Sequence, residues 1–138
     1  MVKIMENVLI LVKLTGAGIV SAFAHVFGGM DMILGLLLWL ITIDYITGVL
    51  NAIVQKRLNS EVGAKGIAKK VGMLSVVAIS NLISQYAGMD IRTFVIGYYI
   101  ANESISILEN AGKMGAPIPK RLMDILQQLS KDDDDGNQ

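Results

Sequence analysis

Two carboxylates, Asp44 and Glu103, lie inside stretches of the chain that are otherwise almost wholly apolar. Asp44 is near the middle of the 23-residue stretch Met32–Val54. A helix of that length is about 34 Å long, enough to cross the roughly 30 Å hydrocarbon core of a bilayer. A carboxylate at that depth costs about 2.5–3.5 kcal/mol on insertion scales. It must therefore face a partner, a water-filled cavity or another copy, either as a protonated group hydrogen-bonded within the helix packing or as a group that meets water after assembly.

The composition indicates an integral membrane protein. Of 138 residues, 53% are hydrophobic and 17% charged, whereas soluble domains carry about 25% charged residues. Without cysteine there are no disulfides or thiolate metal sites, and His25 alone cannot supply a multi-imidazole site. The sequence also lacks a nucleotide fingerprint and a serine–histidine arrangement. We therefore expect no enzyme, no catalytic residue, no metal, no cofactor and no nucleic-acid partner.

Four hydrophobic segments predict an all-α fold of membrane-inserted helical hairpins. They are 8–27, 32–54, 71–88 and 92–108, and glycine-rich turns at 28–31 and 88–90 join them in antiparallel pairs. The first segment contains Lys13 and either spans the bilayer or lies on its surface. The sequence thus predicts three to four transmembrane helices within one membrane domain, residues 1–130.

The connection 55–70 is rich in basic residues and contains one acid, Glu61. By the positive-inside rule we expect this loop, and with it the C-terminus, to be cytoplasmic. The N-terminus is also inside if the first segment spans, and outside if it does not. The basic residues expected to determine this topology are Lys56, Arg57, Lys65, Lys69 and Lys70.

An amphipathic helix is predicted at 118–130, after the last hydrophobic segment. Its apolar residues recur at helical spacing and form one face. Such a helix lies on the membrane, pairs with copies of itself or packs on its own domain. Residues 131–138, with four consecutive aspartates, are expected to be a disordered acidic tail. The apolar face consists of Ile118, Leu122, Ile125, Leu126 and Leu129.

Polar residues also recur at helical spacing inside the last three hydrophobic segments. One short chain has little volume in which to bury so many polar groups, and polar or small residues favour close helix contacts in membranes. We therefore expect self-association, with these residues at an assembly interface or lining a pore. They are Asp44, Gly48, Asn51 and Gln55, then Asn81, Ser84 and Gln85, then Asn102, Glu103, Ser106, Glu109 and Asn110.

Two sequence blocks resemble the bacteriophage holin family that includes the toxin-secretion and phage-lysis holins. The resemblance covers about residues 40–130, and the order and spacing of the blocks make it specific. The first block is Asp44-Tyr45-Ile46-Thr47-Gly48, followed by Lys56-Arg57-Leu58-Asn59-Ser60 and Gly66-Ile67-Ala68-Lys69-Lys70; the second is Tyr98-Tyr99-Ile100-Ala101-Asn102-Glu103-Ser104-Ile105-Ser106-Ile107-Leu108-Glu109-Asn110, with Gly115-Ala116-Pro117-Ile118-Pro119 and Leu122.

The resemblance implies a multi-pass protein of the host cytoplasmic membrane that forms homo-oligomers in the lipid bilayer and opens lesions. Its functional partner would be an endolysin or a secreted toxin, without necessary direct contact. A small proton-coupled transporter or channel remains the alternative, since membrane carboxylates also serve proton relays. An antiholin that restrains a lytic partner would share the same fold.

Overall fold

The chain is predominantly helical in the part that the structure, a computed structural model, describes, which is residues 1–132. This result confirms the predicted all-α class. The residues form two compact units, one ending at Met30 and one beginning at Asp31. Five helices are present in the described residues: α1 (Val2–Phe27), α2 (Met32–Val54), α3 (Ser60–Ala87), α4 (Ile91–Lys113) and α5 (Lys120–Asp132).

The first unit is the long apolar helix α1, which begins six residues before the segment expected at 8–27. None of its residues is buried. The rings of Phe23 and Phe27 pack one turn apart, with centroids 4.3 Å apart. The helix ends at Gly28, whose left-handed conformation (φ 79°) lets its N–H donate to the carbonyl of Ala24.

Helix α2 has the bounds expected for the second hydrophobic segment because both ends have clear signals. The side chain of Asp31 accepts a hydrogen bond from the Leu34 N–H (3.1 Å) and caps the first turn. At the other end, Lys56 adopts a left-handed conformation (φ 54°), which stops the helix. The boundary between apolar and polar sequence coincides with these stops.

Helix α3 is longer than the expected segment 71–88, and its first eleven residues correct the prediction of a basic loop over 55–70. Asn59 caps the helix by accepting from the Val62 N–H (2.8 Å). Glu61 pairs with Lys65 at 3.1 Å along the exposed first turns. Only residues 55–59 separate α2 from α3. The closely spaced charged residues that suggested a loop belong largely to the polar first turns of α3.

Helices α4 and α5 are joined by a short connection that contains Gly115 (φ 99°) and Pro117. α4 continues to Lys113, five residues beyond the expected end at 108. α5 begins at Lys120, after the prolines, rather than at 118. Residues 131 and 132 of the expected acidic tail belong to α5, and the rest of that tail, 133–138, lies outside the described residues.

In the second unit α4 packs along α2 and α3, while α2 and α3 touch over a shorter length. One α2–α3 approach is tight, because a Cβ at Gly66 would lie 3.2 Å from the ring of Tyr45. α5 returns along α4. The buried apolar side chains at the centre of this unit are Leu34, Leu37, Ile41, Ala52, Met73, Val77, Ile96 and Ala101.

Three helices, α1, α2 and α3, are long and apolar enough to cross a membrane, within the residues that the structure describes. α4, the expected fourth span, is not among them, whereas the first segment, for which the sequence left insertion open, is. The second unit exposes large apolar side chains and buries charged ones, the reverse of a soluble protein. Trp39, for example, is 70% exposed, whereas Glu103 is fully buried. Large apolar side chains on the outside and charges on the inside suit a protein whose solvent is lipid.

Candidate functional site

A buried ion cluster occupies the junction of α2, α3 and α4. The Lys70 ammonium donates hydrogen bonds to Asp44 Oδ2 and to Glu103 Oε2 and forms a salt bridge with each carboxylate. The three residues are at most 8% exposed. The two carboxylates that the sequence singled out therefore share one cation, which supplies the partner that buried carboxylates require.

The three cluster residues lie at the same level of the bundle. Asp44 is ten residues before the end of α2, Lys70 is ten residues after the start of α3, and Glu103 is ten residues before the end of α4. At 1.5 Å per residue the cluster is about 15 Å from the helix ends on the side of the 55–59 connection. That distance is about half of a hydrocarbon core.

Asp44 has additional partners on α4 and α2. Asn110 Nδ2 donates to Asp44 Oδ1 (3.4 Å) and to Thr47 Oγ1 (3.3 Å). Gly48, one turn after Asp44, leaves room for this amide, since a Cβ there would lie 3.7 Å from Asn110 Nδ2. The predicted residues Asp44, Gly48 and Asn110 thus belong to one site.

Glu103 is the most enclosed member of the cluster. Its Oε2 is bound by Lys70, whereas its Oε1 is buried without a hydrogen-bond partner in the part of the chain that the structure describes. An unpaired carboxylate oxygen is costly in an interior. The cluster also has two carboxylates for one ammonium, so it has a net charge of −1 when all three groups are ionised.

A cavity of about 200 Å³ lies beside the cluster, on the side of the 55–59 connection. Asp44 and Lys70 form part of its wall, so the cluster is not sealed from small polar molecules. Glu103 is not part of the wall. The lining residues are Asp44, Tyr45, Gly48, Val49, Val62, Gly66, Lys69, Lys70, Ser106 and Asn110.

The other predicted site residues are divided between the interior and the surface. Asn51 is buried and accepts from Gln55 Nε2 (2.9 Å), and Asn81 is also buried. Ser84 Oγ accepts from the backbone N–H of Arg92 (2.9 Å) and so joins the ends of α3 and α4. The polar residues that recur at helical spacing are therefore only partly buried. Asn102 and Ser106 are half-buried, and Gln55, Gln85 and Glu109 are exposed.

The five basic residues assigned to a topology loop have different positions. Lys56 and Arg57 are exposed in the connection, and Lys65 and Lys69 are exposed on α3. Lys70 is buried in the bundle, so its structural role is that of a partner to the carboxylates. The sequence did contain a signal for it, because two membrane carboxylates without a cation were accompanied by a lysine at the edge of an apolar segment.

A second ion pair, which was not predicted from the sequence, joins α2 and α4 at the opposite end of the bundle. Arg92 Nη1 and Nη2 donate to the two oxygens of Asp31 at 2.7 and 3.0 Å, a bidentate geometry. Arg92 is 7% exposed. The guanidinium holds the pKa of Asp31 below its ordinary value, and the backbone N–H of Leu34 acts in the same direction.

We expect Asp31→Asn to remove an acid-sensitive part of the stability. Because the pKa of Asp31 is lowered in the folded chain, its pairing stabilises above the ordinary value of about 3.9 and is lost as the pH falls through the lowered folded value. Asparagine still caps α2. In detergent, chemical denaturation followed by circular dichroism should show a loss of about 0.5–1 kcal/mol at neutral pH, because the Asp31 side chain is 47% exposed and solvent screens the pair.

The difference in unfolding free energy between the wild type and this variant should shrink below about pH 4. Glu109→Gln, at an exposed position of α4, is the control and should leave the pH profile unchanged. A constant difference at all pH values would contradict the assignment of this pair.

Within residues 1–132, no group of three or more histidine, cysteine, aspartate or glutamate side chains could hold a metal ion. The arrangement is instead a charged centre enclosed by helices with an apolar exterior. Together with the three long apolar helices, it assigns the chain to the multi-pass helical membrane proteins.

Comparison with known proteins identifies the family. The model of the bacteriophage holin family matches residues 21–131, so the chain belongs to that family, which consists of non-enzymatic membrane proteins. The resemblance seen in the sequence is thereby confirmed. The family and the three long apolar helices also support a multi-pass protein of the cytoplasmic membrane.

Several curated relatives match over most of their length. An uncharacterized protein of Clostridium perfringens strain 13 is 40% identical over 130 residues, 91% of this chain and 96% of the relative. One from Halalkalibacterium halodurans is 37% identical over 89% of this chain and 96% of the relative. A protein of Bacillus phage phi105 named "Probable holin" is 36% identical over 82% of this chain and 84% of the relative. No solved structure matches the chain.

Proposed function

We propose that this chain accumulates in the cytoplasmic membrane, associates with copies of itself and opens lesions through which an endolysin or a toxin leaves the cell. The observation that carries the proposal is the second unit's apolar exterior and charged interior, together with membership of the holin family. One copy buries the charged groups of Asp44, Lys70 and Glu103. It still exposes polar side chains on helices whose outer surfaces are otherwise apolar.

The outer flank of α4 is the surface we propose for contact between copies. Asn102 is half-buried and Glu109 is exposed, and their spacing of seven residues places them on one side of the helix. Asn102 is one residue from Glu103 and therefore close to mid-bilayer depth. An amide at that depth gains from a hydrogen bond to another helix, since lipid offers none.

Helix α5 supplies a second surface for assembly. It packs along α4, yet Leu122, Ile125 and Leu129 remain 43–53% exposed. The polar residues of the same helix include Arg121 and Asp124. An amphipathic helix with an uncovered apolar face fits the membrane interface or the same face of another copy.

The proposed orientation places the 55–59 connection in the cytoplasm. Lys56, Arg57, Lys65 and Lys69 are all exposed at that end of the second unit, which favours the cytoplasmic side. The end of α4 at Lys113 shares that side if α4 crosses the membrane. The pair of Asp31 and Arg92 then lies at the outer surface.

Expression of the chain alone should cause abrupt membrane failure above a threshold amount, because assembly depends on concentration. Release of a cytoplasmic reporter protein and crosslinking should be measured against the amount of chain in the membrane. We expect little release below the threshold and, above it, release that coincides with large crosslinked species. Release proportional to the amount of chain, without large species, would contradict collective action.

A small proton-coupled transporter or channel is the second candidate, and the cavity that ends on the ion cluster is the observation that favours it. Such a protein would conduct protons or small cations as a monomer or dimer and never release the reporter protein. An antiholin would assemble but delay the release caused by a lytic partner. The same expression experiment, repeated with and without that partner, separates the three functions.

A further inference from the structure

We infer that Asp44, Lys70 and Glu103 form a proton-binding site: the cluster holds one exchangeable proton, carried by Glu103 and reached through the cavity on the side of the 55–59 connection. The site is independent of the lesion function, since a lesion-forming protein and a transporter could both contain it. Its ligand is a proton from water in the cavity, and the proton returns to that water on release.

The balance of charge in the cluster favours one bound proton. Two carboxylates surround one ammonium in an interior where a net charge is strongly disfavoured. One bound proton makes the cluster neutral and leaves one ion pair. The charged groups that face Glu103 are Asp44 from α2 and Lys70 from α3, with Lys69 farther out on the cavity wall. α5 contributes Leu126 and Leu129 to its groove with α4, and these add no charge.

Glu103 is the carboxyl group better placed to carry the proton. Asp44 has Lys70 on one oxygen and Asn110 on the other, so both of its oxygens are used as acceptors. Glu103 Oε1 is fully enclosed and unpartnered among the described residues. A neutral hydroxyl at that oxygen is far less costly to bury than a share of a negative charge.

The cavity gives protons a route to the cluster. The cavity reaches Asp44 and Lys70, and Lys70 donates to Glu103. A proton can therefore move between water in the cavity and Glu103 by way of groups already within hydrogen-bond distance of each other. The cavity wall is formed by α3 from Val62 to Lys70 and by the parts of α2 and α4 nearest the 55–59 connection. This location makes the pH on that side of the membrane the one that the site senses.

Infrared spectroscopy of the purified full chain in lipid vesicles tests the site directly. At neutral pH we expect a carbonyl stretching band from one protonated carboxyl group per chain. The band should shift when the protein is labelled with ¹³C-glutamate, a measurement that needs no substitution. It should disappear at alkaline pH and shift rapidly in heavy water, because the cavity admits water.

Two substitutions complete the test. Glu103→Gln should remove the band, and Glu61→Gln, at an exposed position in the first turn of α3, should keep it. Circular dichroism should show equal helix content in both. Absence of the band at neutral pH in the wild type, failure of the glutamate label to shift it, or its persistence in Glu103→Gln would each overturn the proposal. None of these outcomes depends on lesion formation.

Discussion

Replacing Lys70 with methionine is expected to destabilise the second unit by about 3–5 kcal/mol, because removal of one partner leaves buried charge uncompensated. Asp44 and Glu103 would then lack the ammonium that both now bind. The loss is a large part of a typical folding free energy of about 5–15 kcal/mol. Denaturation in detergent and the amount of chain recovered in the membrane fraction should both report it.

Two matched variants distinguish removal of the ion pair from removal of a side chain. Lys69→Met removes the adjacent but exposed lysine and should change stability by less than about 0.5 kcal/mol. The triple variant Asp44→Asn, Lys70→Met, Glu103→Gln removes all three ionisable groups while keeping their approximate shapes, and should recover most of the stability. If Lys70→Met and Lys69→Met behave alike, the cluster does not hold the three helices together.

Asn102→Leu is expected to weaken assembly without impairing insertion or folding. A hydrogen bond between membrane helices contributes about 0.6–2 kcal/mol, and its removal corresponds to a roughly 3- to 30-fold weaker association. The threshold for reporter release should rise by a factor in that range. Quantified crosslinking and reporter release, both plotted against the amount of chain, provide the measurement.

The control for this variant is Thr42→Val on α2. Thr42 is exposed, and its hydroxyl donates to the Leu38 carbonyl of its own helix (2.8 Å), so the substitution should leave the threshold unchanged. Asn51→Leu and Asn81→Leu are different experiments. Both amides are buried within one chain, so these changes should lower folding stability instead. An unaltered threshold in Asn102→Leu would remove this side of α4 from the proposed assembly surface.

The helical architecture was predictable because its signals are local. Helix α2 begins after an aspartate cap and ends where apolar sequence ends, and the structure has the expected bounds. The start of α3 was not predictable by the same reasoning, since lysines in a polar segment suit either a loop or an exposed helical turn. Asn59 and Glu61 were the available cap signals there.

Asp44, Gly48, Glu103 and Asn110 were singled out in the sequence, but their pairing was not predicted, and Lys70 was assigned to a basic loop rather than to the site. Helical spacing placed Asp44, Gly48 and Asn110 on polar stripes, but spacing within one helix does not fix which residue of another helix it meets. Lys70 is 26 residues from Asp44 and 33 from Glu103. The pairing of Asp31 with Arg92 was missed for the same reason, over 61 residues.

The equal depth of the three cluster residues also bears on how the chain enters a membrane. A helix that inserted alone with Lys70 ten residues from its start would carry an unneutralised ammonium toward mid-bilayer, at a cost of about 2.5–3.5 kcal/mol. Asp44 precedes it in the chain and would already be present in α2 with the opposite charge. The five-residue connection 55–59 keeps the two helices adjacent during synthesis. Biogenesis is therefore most favourable when α2 and α3 enter as a hairpin, with Glu103 joining last.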